Sequence, residues 1–124
     1  MSGGIHLFVY GALKSGGEES AVLAGSRLVG PATVAGTLYQ TPSGYPALML
    51  AGAGRVHGEI WHCGPEILRE LDAYEGVEDG LFRRVGVRVG DHACWTYVAG
   101  PRLARALTPD RRIPSGDWSP RPRP

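Results

Sequence analysis

Nineteen glycines and ten prolines are scattered through the 124 residues and divide the apolar sequence into short runs. They follow no three-residue period, so a collagen-like chain is excluded. A β-rich domain of many short strands joined by tight turns fits this punctuation. The length suits one compact domain, placed at residues 1–118, followed by a Pro/Arg-rich tail at 119–124. Alternating Pro and Arg in that tail favours an extended, solvated segment.

Hydrophobic residues make up 43% of the chain and charged residues 20%, the balance of a globular protein, and the net charge is +1. A charge this small leaves no electrostatic footprint for nucleic acid. No apolar run approaches the ~20 residues needed to span a bilayer. The opening Met1-Ser2-Gly3-Gly4 lacks the basic and apolar pattern of a secretory signal, so a cytoplasmic location is expected. Cys63 and Cys94 stand alone and read as free thiols rather than a disulfide. Oligomeric state is not written in the sequence.

Periodicity predicts roughly seven strands and two helices. Residues 6–10 (HLFVY) form a short apolar run ending at Gly11, the pattern of a buried first strand. A weak helix is expected over 18–23. Residues 32–39 are rich in β-formers but contain Gly36, which signals a bulge or the close approach of another backbone. Extended segments are expected at 45–50 and at 56–62, the second alternating between Val56, Gly58, Ile60 and His57, Glu59, Trp61. The clearest helix starts near Pro65, carries Ile67, Leu68, Leu71 and Tyr74 at helical spacing, and stops at Gly76. Strands at 82–89 and 92–98 flank Gly90-Asp91, a hairpin signal. These elements predict a mixed α+β or barrel-like fold dominated by antiparallel pairing.

Two segments have the makings of a site. A strand that ends in a sharp glycine turn, as at residues 8–14 (FVYGALK), can aim successive backbone N–H groups into one concavity that holds a carboxylate or oxyanion. Glycine also ends many strands for purely structural reasons. Glu75 lies at a helix C-terminus, four residues after Leu71 and near its buried face. The dipole and partial burial both oppose its ionisation and would raise its pKa toward the ~6–7 useful to a general base. Spacing alone also allows a surface glutamate beside a turn.

These segments resemble the gamma-glutamylcyclotransferase-like superfamily, in particular its avirulence-induced-gene-like and gamma-glutamylamine cyclotransferase branch. LFVYGALKSG resembles the family's Y-G-T-L-K/R signature, GTLYQTPSGYPAL its G-x-L-Y…Y-P-A-L stretch, and VHGEIW its V-x-G-E-[IVL]-[YW] strand. LDAYEG followed by FRR resembles L-D-x-x-E-G…Y-x-R, ACWTYV the late strand, and IPSGDW an ending seen in many bacterial members. The ordered match runs from about position 7 to 118. It implies a small mixed, mainly antiparallel β-barrel with flanking helices, Glu75 as the catalytic acid/base, and substrate contacts from Tyr10, Gly11, Ala12, Leu13, Phe82 and Tyr97. Ala12 and Phe82 depart from the usual Thr/Ser and Tyr, which bears on substrate preference.

The implied reaction converts a small γ-glutamyl amine or peptide to 5-oxoproline and a free amine. The substrate's α-amine is its own nucleophile, so no metal and no cofactor are required. A non-catalytic binding or interaction module of the same fold is the alternative. Asp72, three residues before Glu75, is either a second pocket acid or, more simply, a helix-surface or capping group. Loops at 15–20 and 77–81 are placed to select the leaving amine. The four histidines show no zinc-ligand spacing, and His62, next to Cys63 on a strand, points to the opposite face from the thiol it would activate.

Overall fold

The computed structural model describes residues 4–11, 23 and 25–118. Among the described residues, seven strands and two short helices follow in the order β1 (Ile5–Val9), β2 (Arg27–Ala35), β3 (Thr37–Gln40), β4 (Pro46–Met49), β5 (Arg55–Cys63), α1 (Ile67–Tyr74), β6 (Phe82–Val89), β7 (His92–Ala99) and α2 (Pro101–Ala104), with a 3-10 turn at Pro109–Arg111. The expected helix at 18–23 and the tail lie outside the described residues, apart from Leu23, which is buried in the core.

The main sheet runs β2-β5-β1-β7-β6, and β3 pairs with β4 in a separate two-stranded ladder. Every pairing is antiparallel except β1 with β7. The α+β, mainly antiparallel expectation therefore holds. The expected β-barrel is not closed: among the described residues the main sheet has edges at β2 and β6, and no ladder joins them. β4 packs along β7 instead, so the small ladder folds over one end of the open sheet.

β1 occupies the centre and is covered on both faces. Leu7 and Val9 pack with Leu71, Ala47, Tyr97 and Leu103, while Phe8 and Tyr10 pack with Val34, Leu38, Leu48, Val56 and Val98. Coverage on both faces is why this strand is an unbroken apolar run rather than an alternating one. The Thr96 hydroxyl donates to the Phe8 carbonyl oxygen at 2.9 Å, which pins the single parallel pairing.

Gly36 separates β2 from β3 because a Cβ there would sit 2.7 Å from the Met49 carbonyl oxygen. The close backbone approach signalled by that glycine is thus present. Gly76 at φ +65° closes α1, with Gly76 N–H bonded to Ala73 O (3.2 Å) and Val77 N–H to Asp72 O (3.1 Å). This double bond pattern is the Schellman cap, and it reverses the chain immediately after Glu75.

Candidate active site

The end of β1, the start of β4, the C-terminus of α1 and the facing ends of β6 and β7 enclose a cavity of about 310 Å³. Glu75, Tyr10, Gly11, Phe82 and Tyr97 all line it. Five of the seven site residues expected from sequence therefore meet in one hollow, although they are dispersed from position 10 to position 97. Ala12 and Leu13 lie outside the described residues.

Glu75 is the C-cap of α1, with its N–H bonded to Leu71 O at 2.8 Å. Because Leu71 is fully buried, the helix seats its last turn against the core and carries Glu75 to the cavity wall. Burial raises the pKa of its carboxyl to about 7, since the charged form loses hydration. Leu81 and Phe82, beyond the Gly76 reversal, form the adjoining wall.

The Tyr10 hydroxyl donates to the Tyr97 carbonyl oxygen at 2.6 Å and accepts from Leu48 N–H at 3.2 Å. Burial, then the nearby Glu75 charge, raise its pKa. The Tyr97 hydroxyl donates to Asp72 Oδ1 at 2.6 Å. Arg84 grips the same carboxylate through Nε to Oδ1 (2.9 Å) and Nη2 to Oδ2 (3.2 Å), and its guanidinium lies 4.6 Å over the Trp95 ring. Burial, the hydrogen bond to Asp72 and the negative charges around it hold the Tyr97 proton in place. Asp72 is thus not a lining acid of this cavity but a partly exposed group on the helix surface, paired with Arg84.

Sequence reasoning missed Tyr45, Pro46 and Tyr74 at the site, whereas Leu81 belongs to the 77–81 loop expected at the pocket mouth. Tyr45 is 37% and Tyr74 51% exposed, and they stand at the mouth, with the Tyr45 ring 5.9 Å from that of Phe82. The quoted GYPAL segment contains Tyr45 and Pro46, so that signal was present but was read only as a strand. Among the described residues, no group of three or more His, Cys, Asp or Glu is placed to hold a metal ion. Cys63 and Cys94 are free and buried. No helix among the described residues is long and apolar enough to cross a membrane.

A sequence model of the family described as "Gamma-glutamyl cyclotransferase, AIG2-like" matches residues 7–120. The chain belongs to that family. It is similar to the gamma-L-glutamyl-butirosin B gamma-glutamyl cyclotransferase of Niallia circulans, with 37% identity over 103 residues covering 75% of this chain and 65% of that protein. The chain therefore spans somewhat under two thirds of that relative's length. Among solved structures, the solution structure of ytfP from Escherichia coli matches at TM-score 0.70 and 31% identity, covering 92% of this chain and 96% of that one. An aig2-like protein from Mus musculus matches at TM-score 0.69 and 22% identity, covering 98% of this chain and 99% of that one, a likeness of fold.

Proposed function

We propose that the chain is a gamma-glutamyl cyclotransferase that releases 5-oxoproline and a free amine from a γ-glutamyl amine or peptide, with Glu75 as general acid/base. The observation that carries this reading is the position of Glu75. A carboxylate whose pKa is raised to about 7 faces the glycine turn after β1 across one cavity. The family match and the Niallia circulans relative support the reaction class.

In the proposed reaction the cavity folds the γ-glutamyl chain so that its α-nitrogen approaches the γ-carbonyl carbon to about 3–3.5 Å. Glu75 takes a proton from the nitrogen as the new N–C bond forms. It delivers that proton to the leaving amine as the old C–N bond breaks. Backbone N–H groups at the turn after Tyr10 bind the α-carboxylate or the developing oxyanion. The aromatic mouth of Tyr45 and Tyr74 receives the departing amine's substituent.

The test is mass-spectrometric detection of 5-oxoproline from a panel of γ-glutamyl amines and amino acids. Turnover of at least one member is expected, and Glu75→Gln should lower it by at least ~10²-fold. Binding across the panel without release would favour a non-catalytic module. Undiminished release by Glu75→Gln would remove Glu75 from the mechanism.

A further inference from the structure

We propose that Asp72 is a positioning residue that fixes the Tyr97 hydroxyl as a hydrogen-bond acceptor toward the cavity, so that Tyr97 and Glu75 together hold the substrate's α-amino group. The proposal rests on the cyclotransferase reading above and names the contact that makes the α-amine the nucleophile.

A phenol has one hydrogen to donate. That of Tyr97 is committed to Asp72 Oδ1 at 2.6 Å, so the Tyr97 oxygen offers only lone pairs to anything inside the cavity. Asp72 cannot turn away, because Arg84 forks both of its oxygens and is itself stacked over Trp95. A bidentate guanidinium–carboxylate pair is the geometry that holds orientation best. Tyr10 is more fully engaged: its hydrogen goes to Tyr97 O, and one lone pair of its oxygen already accepts from Leu48 N–H.

Among the described residues, Phe8, Val9, Pro46, Leu81 and Phe82 form the apolar part of the wall, with Tyr45 and Tyr74 at the mouth. Among the described residues, the inner polar side chains are the Glu75 carboxylate, the accept-only Tyr97 phenol and Tyr10, whose hydroxyl is engaged with Tyr97 O and Leu48 N–H. Two acceptors in an apolar hollow select a group with at least two N–H donors, which is an amine rather than an alcohol or a second carboxylate. During the reaction one N–H hydrogen passes to Glu75 as the nitrogen bonds to the γ-carbon. A second N–H stays on the Tyr97 oxygen and turns the lone pair toward the carbonyl. Glu75 returns its proton to the leaving nitrogen, and the Tyr97 hydrogen remains on Asp72's side throughout.

Asp72→Asn tests the polarity of this contact. With its amide nitrogen at the Oδ1 position, the asparagine donates to the Tyr97 oxygen and its carbonyl keeps the bond from Arg84 Nη2, at the loss of the bond from Arg84 Nε. The phenol hydrogen is then free to point into the cavity against the amine. The experiment measures kcat/KM for the best γ-glutamyl substrate in wild type, Asp72→Asn, Tyr97→Phe and the double variant. It also measures inhibition by a glutaric acid monoamide, which carries hydrogen where the substrate has its α-amine. Each single variant should lose about tenfold or more in kcat/KM, the double variant should lose no more than Tyr97→Phe alone, and the monoamide should bind all four equally. Multiplicative losses in the double variant, or loss of monoamide binding or of the fold in Asp72→Asn, would make Asp72 a structural brace and overturn the proposal. No 5-oxoproline from wild type would instead overturn the cyclotransferase reading, and this proposal with it.

Discussion

The Tyr10 hydroxyl donates to the main-chain oxygen of Tyr97 at 2.6 Å, tying the end of β1 to β7 from inside the core. The Tyr10 hydroxyl oxygen in turn accepts from Leu48 N–H, so one side chain links β1, β7 and β4 around the cavity. Tyr10→Phe keeps the ring but leaves a buried carbonyl and a buried N–H without their partner. An unsatisfied buried group costs about 1–3 kcal/mol. Urea denaturation should show a loss in that range with an unchanged m-value. A shift within error of zero would mean that the three strands hold together without this link.

Rate should follow the ionisation of Glu75. With a pKa raised to about 7, the basic form is the majority only above neutrality. We expect kcat/KM to fall about tenfold per pH unit well below 7 and to level off above it. Glu75→Gln should erase this limb along with most of the rate. A limb centred near the ordinary carboxylate value would show that Glu75 is better solvated than its surroundings suggest.

The same burial makes Glu75 a cost to folding. Its folded pKa, about 7, lies above its ordinary value of 4.5, so the folded state holds the proton more tightly. The neutral form carries no penalty at low pH. Stability is lost as pH rises from about 4.5 through 7, reaching roughly 2–3 kcal/mol. Glu75→Gln should therefore raise the thermal midpoint relative to wild type at pH 8 and leave it nearly unchanged at pH 4. Equal shifts at both pH values would contradict a buried, hard-to-ionise carboxyl.

Residues 113–118 fold back on the sheet, with Ile113 N–H bonded to Leu38 O and His57 N–H to Gly116 O, both at 2.8 Å. Gly116 has φ +69°, and a Cβ there would collide with the Arg55 carbonyl. Gly90, at φ +59°, has open space where its Cβ would lie. Both alanine variants incur the ~1–2 kcal/mol left-handed strain, and only Gly116→Ala adds a backbone clash. Calorimetry should rank Gly116→Ala clearly below Gly90→Ala. Equal midpoints would mean that the closing segment is loosely attached.

Much of this arrangement was legible wherever one local rule decided the outcome. β1 reads as a strand because both faces are buried, and Gly76 reads as a stop because only a left-handed residue completes the cap. The first part of β2 was missed because Gly30-Pro31 has turn chemistry. It is tolerated there because β2 is an edge strand with a register shift between Leu28 and Gly30. α2 has four residues, too few to show a period. The Asp72–Arg84–Tyr97 cluster was illegible for another reason: it depends on how the end of α1 meets β6 and β7, which no local pattern encodes. The barrel, suggested by the strand count and implied by the resemblance, is not closed by the strand pairing of the described residues.

Three imidazoles share the far end of the sheet. The His6 ring lies 5.3 Å from that of His62 and 4.6 Å from that of His92. Burial first, then His92, His62 and Arg27, which pairs opposite His62, lower the His6 pKa below its ordinary 6.5. The unfolded chain thus takes up that proton more readily than the folded one. The His6 contribution is intact above about 6.5 and is lost as pH falls through the lowered value. Glu75 acts in the opposite direction over part of this range but is common to wild type and variant, so their difference isolates His6. His6→Gln should gain thermal stability relative to wild type on moving from pH 7.5 to pH 5. If the two midpoints instead run parallel, the three rings accommodate protonation without repelling one another.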